Sequence, residues 1–208
     1  VPPASAPDRP GLAVIVAGGA GRRLGLVDKP ALTIDGRTLL SVALAAVAPA
    51  RTVVVGPSRE LSADVLQIRE NPPGGGPAAA LAAGLAALAD SEIGSDRDEL
   101  VVVLASDLPG IDAAAVDDLA RALSSTGVDG AVLVDVDGRS QYLAGVWRWG
   151  PLTAAVRSRT SWHDARLADL LEPLIGARVP AARAITSDIN TPADLAKWRP
   201  SGPAAGDS

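Results

Sequence analysis

The sequence predicts an α/β fold: a three-layer α/β/α domain whose mostly parallel sheet carries one antiparallel hairpin. Three observations lead there. Residues 12–17 (LAVIVA), 51–55 (RTVVV) and 99–105 (ELVVVLA) are short, apolar and rich in β-branched side chains without polar alternation, the pattern of strands buried on both faces of a parallel sheet. Between them lie runs with helical spacing, so strand and helix alternate as they do when helices cover both faces of such a sheet. Asp137-Gly138, between two extended runs, is a hairpin turn and adds the antiparallel step.

The elements follow in order. Residues 1–10 hold four prolines and no periodicity, and residues 200–208 are mostly Pro, Gly, Ala and Ser, so both are expected to be disordered tails around one domain at 11–199. After strand 12–17 comes Gly18-Gly19-Ala20-Gly21-Arg22-Arg23. Its glycines can turn backbone N–H groups toward an anion, and Arg22, Arg23 and Lys29 add positive charge, which suits a polyphosphate. Taken alone, the loop reads better as a plain glycine turn with solvated arginines. Residues 31–34 are extended, Asp35-Gly36 is a turn, and 38–48 form a helix that stops before Pro49. Strand Arg51–Val55 and an extended piece at 65–69 lead into 70–77 (ENPPGGGP), which opens a helix at Ala78. Pro77 suits the first helical turn, and Gly74, Gly75 and Gly76 allow a ligand close to the helix amino terminus. Leu81, Leu85 and Leu88 of that helix are expected to be packing residues.

Strand 99–105 ends in Ser106-Asp107-Leu108-Pro109, which puts Asp107 just past the carboxyl end of a buried strand, where open α/β sheets place ligand contacts. Asp112 fits better as the cap of the helix at 113–123, which leaves Asp107 free for function. Gly130–Val134 and Ser140–Arg148 are the hairpin strands, and Trp147 and Trp149 read at least as well as packing residues as they do as ligand contacts. Residues 152–157 and 166–171 read as helical. His163, the one histidine, has no second His or any Cys with which to build a transition-metal site. Residues 188–195 (DINTPADL) are a strong helix start, with Thr191 as N-cap, Pro192 at the first position and Asp194 in the first turn.

Composition narrows the function. A net charge of −5 and a pI of about 4.8 argue against a broad nucleic-acid footprint, so cations that matter should be local. The absence of cysteine excludes disulfides, thiolate metal sites and a Cys nucleophile, and favours a cytoplasmic setting. The longest apolar run, 78–89, is too short to span a bilayer, and no basic segment precedes an apolar one near residue 1, so no membrane segment or signal peptide is expected. With four Trp, one Tyr and no Phe, the core must be aliphatic.

Two familiar phosphate loops fail on spacing. The P-loop needs Gly-Lys-Ser/Thr, but Lys29 is followed by Pro30; the dinucleotide fingerprint needs a third glycine where Arg23 or Leu24 stands. The string from Val16 to Gly25, with Asp28-Lys29, instead resembles the signature of the molybdenum cofactor guanylyltransferase family, the MobA-like nucleotidyltransferases: Leu-Ala-Gly-Gly, then an arginine, Met-Gly and a lysine. Val16 replaces the leucine and Leu24 the methionine. The resemblance continues through the Gly-Gly-Pro loop, Asp107-Leu108-Pro109, Gln141-Tyr142-Leu143 with Trp147-Arg148, and Asn190-Thr191-Pro192, where Asp188 stands for the first asparagine of the family pattern.

What the resemblance implies is specific. The fold would be Rossmann-like, of the nucleotide-diphospho-sugar-transferase type, and the reaction a transfer of GMP from GTP to the phosphate of molybdenum-molybdopterin with release of pyrophosphate. Val16, Ala17, Gly18, Gly19, Gly21, Arg22, Lys29, Asn71, Gly76 and Asp107 would bind the nucleotide, and Lys29, Asp107 and Arg23 would be catalytic. Asp107 would hold Mg²⁺, with Asp188 as a second candidate ligand. A molybdoenzyme or cofactor-insertion protein is the implied partner. The residues fit this chemistry without analogy, because phosphate attack on phosphorus needs positioning and charge stabilisation rather than a protein nucleophile. For the base, Glu70 and Asn71 offer hydrogen-bond acceptors that match guanine N1–H and its amine, with solvated loop residues as the alternative. Cytidylyl transfer, another acceptor on the same fold, or a non-catalytic nucleotide binder stay open, the last disfavoured by Lys29 and Asp107 occurring together.

Overall fold

The computed structural model describes residues 9–18, 28–90 and 98–198. The chain begins with β1 (Leu12–Val16), buried along its whole length, as its unbroken apolar sequence requires. A 3-10 turn (Lys29–Ala31) leads to β2 (Thr33–Ile34) and β3 (Arg37–Thr38), a small antiparallel pair reversed at Asp35-Gly36, both in positive φ. Ala31 therefore ends a helical turn instead of starting an extended piece. Thr38 then caps α1 (Leu39–Val47), its hydroxyl accepting from Ser41 N–H.

Next come β4 (Arg51–Val55), β5 (Leu66–Ile68) and α2 (Gly76–Asp90), followed by β6 (Leu100–Ala105). The α2 helix starts at Gly76, two residues before the expected Ala78. Leu81, Leu85 and Leu88 are buried as expected, each contributing about 1.5–3 kcal/mol. Asp112 caps α3 (Ala113–Thr126), which runs to Thr126 instead of the expected Leu123 and is closed by Gly127 in the left-handed region. The hairpin is β7 (Gly130–Val134) and β8 (Ser140–Arg148), turning at Asp137-Gly138 under the Asp135 carboxylate, which accepts from the backbone of Asp137 and Arg139. The chain continues through α4 (Trp149–Arg157), α5 (Leu167–Leu171), β9 (Ile175–Pro180), α6 (Arg183–Thr186) and α7 (Pro192–Lys197).

The main sheet runs β5-β4-β1-β6-β8-β7-β9. Every pairing is parallel except those of β8, which lies antiparallel to β6 and β7 in the sheet interior. One strand runs against the rest, and the hairpin partner β7 keeps the common direction. The edge strand β9 is absent from the sequence reading. Its residues alternate half-buried and exposed, and Gly176, Arg178 and Pro180 hide the pattern that a central strand would present. One face packs on α1 and α3, the other on α2, α4 and α5 with Trp147, Trp149 and Trp162, so both hairpin-region tryptophans are core residues. From β1 the chain moves to β4 on one side, while β6 flanks β1 on the other, which makes the β1/β6 boundary a topological switch point where a crevice opens at the carboxyl ends.

Candidate active site

The crevice at that boundary is a cleft of about 690 Å³ lined by Val16, Gly18, Lys29, Arg69, Glu70, Gly74, Gly76, Asp107 and Leu143, among others. Its floor is the carboxyl ends of β1 and β6, locked by a hydrogen bond from Ser106 N–H to Val16 C=O at 3.0 Å. Ala17 N–H donates to Val55 C=O at 2.8 Å, which fixes the exit of β1 against β4. Gly56 lies against that exit so closely that a Cβ there would sit 2.5 Å from the Ala17 carbonyl oxygen.

Asp107 and Lys29 face each other across the floor. Lys29 Nζ lies 3.5 Å from Asp107 Oδ2 and 2.5 Å from Asn190 Oδ1, and both charged side chains are mostly buried. Burial pushes the Asp107 carboxyl above the ordinary aspartate range; Lys29 pulls it back, and the negative charge of Asp188 pushes it further up. Asn190 Nδ2 donates to Asp188 Oδ2, so one asparagine bridges the lysine and the second carboxylate. The turn that carries it is fixed twice. Ile189 N–H donates to Asp107 C=O at 3.2 Å, and Thr191 and Asp194 form a capping box at the start of α7. Hydrogen bonds from Thr191 and Lys197 hold the Asp194 carboxyl down at about 2.

The second wall is the glycine loop before α2. Gly76 has φ +84° and the loop closes on Glu70, whose Oε1 accepts from Gly74 N–H at 2.9 Å. Glu70 thus both lines the cleft and builds the loop, while Asn71 next to it is exposed and is not among the lining residues. His163 belongs to a segment that backs this loop, with Asp164 N–H donating to Gly75 C=O at 2.9 Å.

Of the residues expected from sequence, Val16, Gly18, Lys29, Gly76 and Asp107 meet at the cleft, Ala17 lies beneath it, and Asp188 joins through Asn190. Gly19, Gly21, Arg22 and Arg23 lie outside the described residues. The sequence reading missed Asn190 as the partner of Lys29 and passed over Arg69, which lines the cleft. Among the described residues no helix is long and apolar enough to cross a membrane.

A family model described as the MobA-like NTP transferase domain matches residues 13–179, which include both strands of the floor, Lys29 and Asp107. The chain belongs to that family. This makes it a nucleotidyltransferase, and within the MobA-like group it is 33% identical over 180 residues to a protein of Mycobacterium tuberculosis named probable molybdenum cofactor guanylyltransferase, covering 83% of this chain and 77% of that one. A Mycobacterium marinum protein of the same name is 31% identical over 189 residues, with 88% and 90% covered. Among solved structures, molybdopterin-guanine dinucleotide biosynthesis protein A from Archaeoglobus fulgidus aligns with a TM-score of 0.65 at 20% identity over 89% of this chain and 95% of its own. A 2-C-methyl-D-erythritol 4-phosphate cytidylyltransferase from Thermus thermophilus aligns at 0.60 and 19% identity, with 89% and 95% covered, and shares the fold.

Proposed function

We propose that this MobA-like transferase moves GMP from GTP to the terminal phosphate of a molybdopterin-type acceptor and releases pyrophosphate. The observation that carries this reading is the convergence of Lys29, Asp107 and Asn190 at the switch point, beside the glycine loop that opens α2. In the reaction an acceptor phosphate oxygen forms a bond to the α-phosphorus as the bond from that phosphorus to the β-phosphate oxygen breaks. Negative charge grows on the α-phosphate oxygens and on the departing pyrophosphate. An ammonium has three donors, of which Lys29 commits two to Asn190 and Asp107, so its third is left for an α-phosphate oxygen. Gly18, with Gly19, Gly21, Arg22 and Arg23 on the strength of their sequence, grips the triphosphate, and Gly76 lets it approach the amino terminus of α2.

The donor set fits Mg²⁺. Asp107 and Asp188 are two carboxylates close enough to repel each other beside one ammonium, and Mg²⁺ is commonly bound through one or two carboxylates plus substrate phosphates. When bound, it would neutralise phosphate charge. Asp107 and Asp188 would hold it, with the Asn190 bridge keeping Asp188 oriented.

Support for guanine comes from the names of the relatives and from Glu70, an acceptor in the cleft wall. The test is a pyrophosphate-release assay across GTP, CTP, ATP and UTP with a molybdopterin acceptor, joined to nucleotide titrations at saturating Mg²⁺. GTP should bind at least about tenfold more tightly than CTP, because the wrong base would leave the Glu70 acceptor covered by the nucleotide but without a donor. If CTP binds as well or better, the chain is a cytidylyltransferase.

A further inference from the structure

Arg59 is a largely buried arginine side chain, 12% exposed, and it lies in the loop between β4 and β5, outside the cleft lining. Its Nη2 donates to Asp28 Oδ1 at 2.5 Å and its Nη1 to Pro57 C=O at 3.0 Å. Its backbone N–H donates to Gln67 Oε1 at 2.9 Å, and Gln67 Nε2 returns to Pro57 C=O at 3.3 Å, so the loop and β5 hold the arginine from both ends. Its Nε is buried with no hydrogen-bond partner among the described residues. A largely buried guanidinium carries a desolvation cost, which its ion pair and hydrogen bonds must offset.

What they fix is the residue before Lys29. Asp28 is the N-cap of the 3-10 turn that carries Lys29, and its carbonyl accepts from Ala31 N–H at 3.0 Å. Its side chain makes no capping bond to that turn and is spent on Arg59 instead. The turn therefore hangs at one end on the Arg59 clamp, and Lys29 leaves the clamped residue to reach Asn190 and Asp107.

We infer that Arg59 is a positioning residue that sets the aim of the Lys29 ammonium through Asp28. Arg59 itself lies outside the cleft lining. The clamp joins the Lys29 turn to the Pro57 loop, both of which line the cleft. This rests on the transfer reaction proposed above for its kinetic consequence, but its structural content can be read without any reaction.

The chain has two lysines, Lys29 and Lys197, so protein labelled with ¹³C at lysine Cε gives one signal for each. In Arg59→Gln the Lys29 signal should move or broaden while that of Lys197 stays in place. Asp28→Asn, at a half-exposed position and a safe folder, should move it in the same direction, and the double variant should add little. In turnover each variant should lose up to about 10²-fold in kcat, the cost of roughly an ångström of misplacement, with the nucleotide KM changed less than about twofold. Neither should slow the enzyme further once Lys29 is already Ala. A Lys29 signal unmoved in folded Arg59→Gln and Asp28→Asn would overturn the inference, as would full additivity with Lys29→Ala. If Lys29→Ala itself leaves turnover intact, the transfer role of Lys29 fails, and the lysine signals still decide the clamp.

Discussion

Lys29 Nζ is held by Asn190 Oδ1 at 2.5 Å, across 161 positions of sequence, with Asp107 Oδ2 at 3.5 Å as its second anchor. The fold's own side chains therefore hold the lysine, and in the transfer reaction proposed above a donor fixed in this way would act without reorganising.

Lys29→Ala should lower kcat by about 10²–10³, the loss typical of one such donor. Asn190→Ala keeps the charge and loses the aim, so it should cost less, up to about 10²-fold. The double variant should be no slower than Lys29→Ala. Single-turnover pyrophosphate release measures all three, and a change confined to KM would reduce Lys29 to a ground-state phosphate contact.

Asp107→Asn should abolish Mg²⁺-dependent turnover without lowering the melting temperature. Burial outweighs the Lys29 attraction and raises the Asp107 carboxyl above its ordinary range, so charging this group costs more in the fold than in the unfolded chain, and its neutral isostere removes that cost. A fall of several degrees by thermal unfolding would contradict this.

The turn before α7 gives a pH-dependent stability. The Asp194 carboxyl titrates at about 2 against an ordinary 3.8, because Thr191 and Lys197 hydrogen-bond to its charged form. A depressed carboxylate stabilises the fold above its unfolded pKa, and that contribution is lost as pH falls through the folded value. Melting curves of wild type and Asp194→Asn should therefore differ by a constant amount above about pH 5 and converge toward about pH 2. Thr191→Ala, which removes the other half of the capping box, should cost about 1 kcal/mol at neutral pH.

Gly56→Ala should weaken nucleotide binding although Gly56 is not a cleft residue. The added methyl would meet the Ala17 carbonyl oxygen at 2.5 Å and push the exit of β1, which leads to Gly18 in the cleft lining, out of register with β4. Overpacking of this kind costs about 1–3 kcal/mol. Calorimetric titration with GTP checks it, and unchanged affinity in a folded variant would show that the exit is free to shift.

The central strands were legible because burial on both faces leaves an unbroken apolar run, as in residues 12–16 and 100–104. Asp107 was legible for a related reason, since a carboxylate ending such a run has nowhere to sit but the rim. β9 was not, because an edge strand needs only one buried side per pair of residues and tolerates Gly176, Arg178 and Pro180. The partnership of Lys29 with Asn190 leaves no local trace at all: it exists only once Ile189 N–H has docked on the Asp107 carbonyl. Arg59 looked like any loop arginine, and its confinement follows from Gln67 and Asp28, which no periodicity connects to it.

The lone reversed strand, β8, bears on how such an enzyme can change over evolutionary time. A parallel crossover must span the sheet and bury a helix, so lengthening it disturbs the core. Because β8 runs backwards, the β7–β8 turn arrives on the same rim as Asp107 as a bare hairpin, braced by Asp135 and exposed at Val136. Hairpin tips accept insertions readily. New sequence can therefore be added at this hairpin while the carboxyl ends of β1 and β6, with Asp107 just past them, keep their pairing.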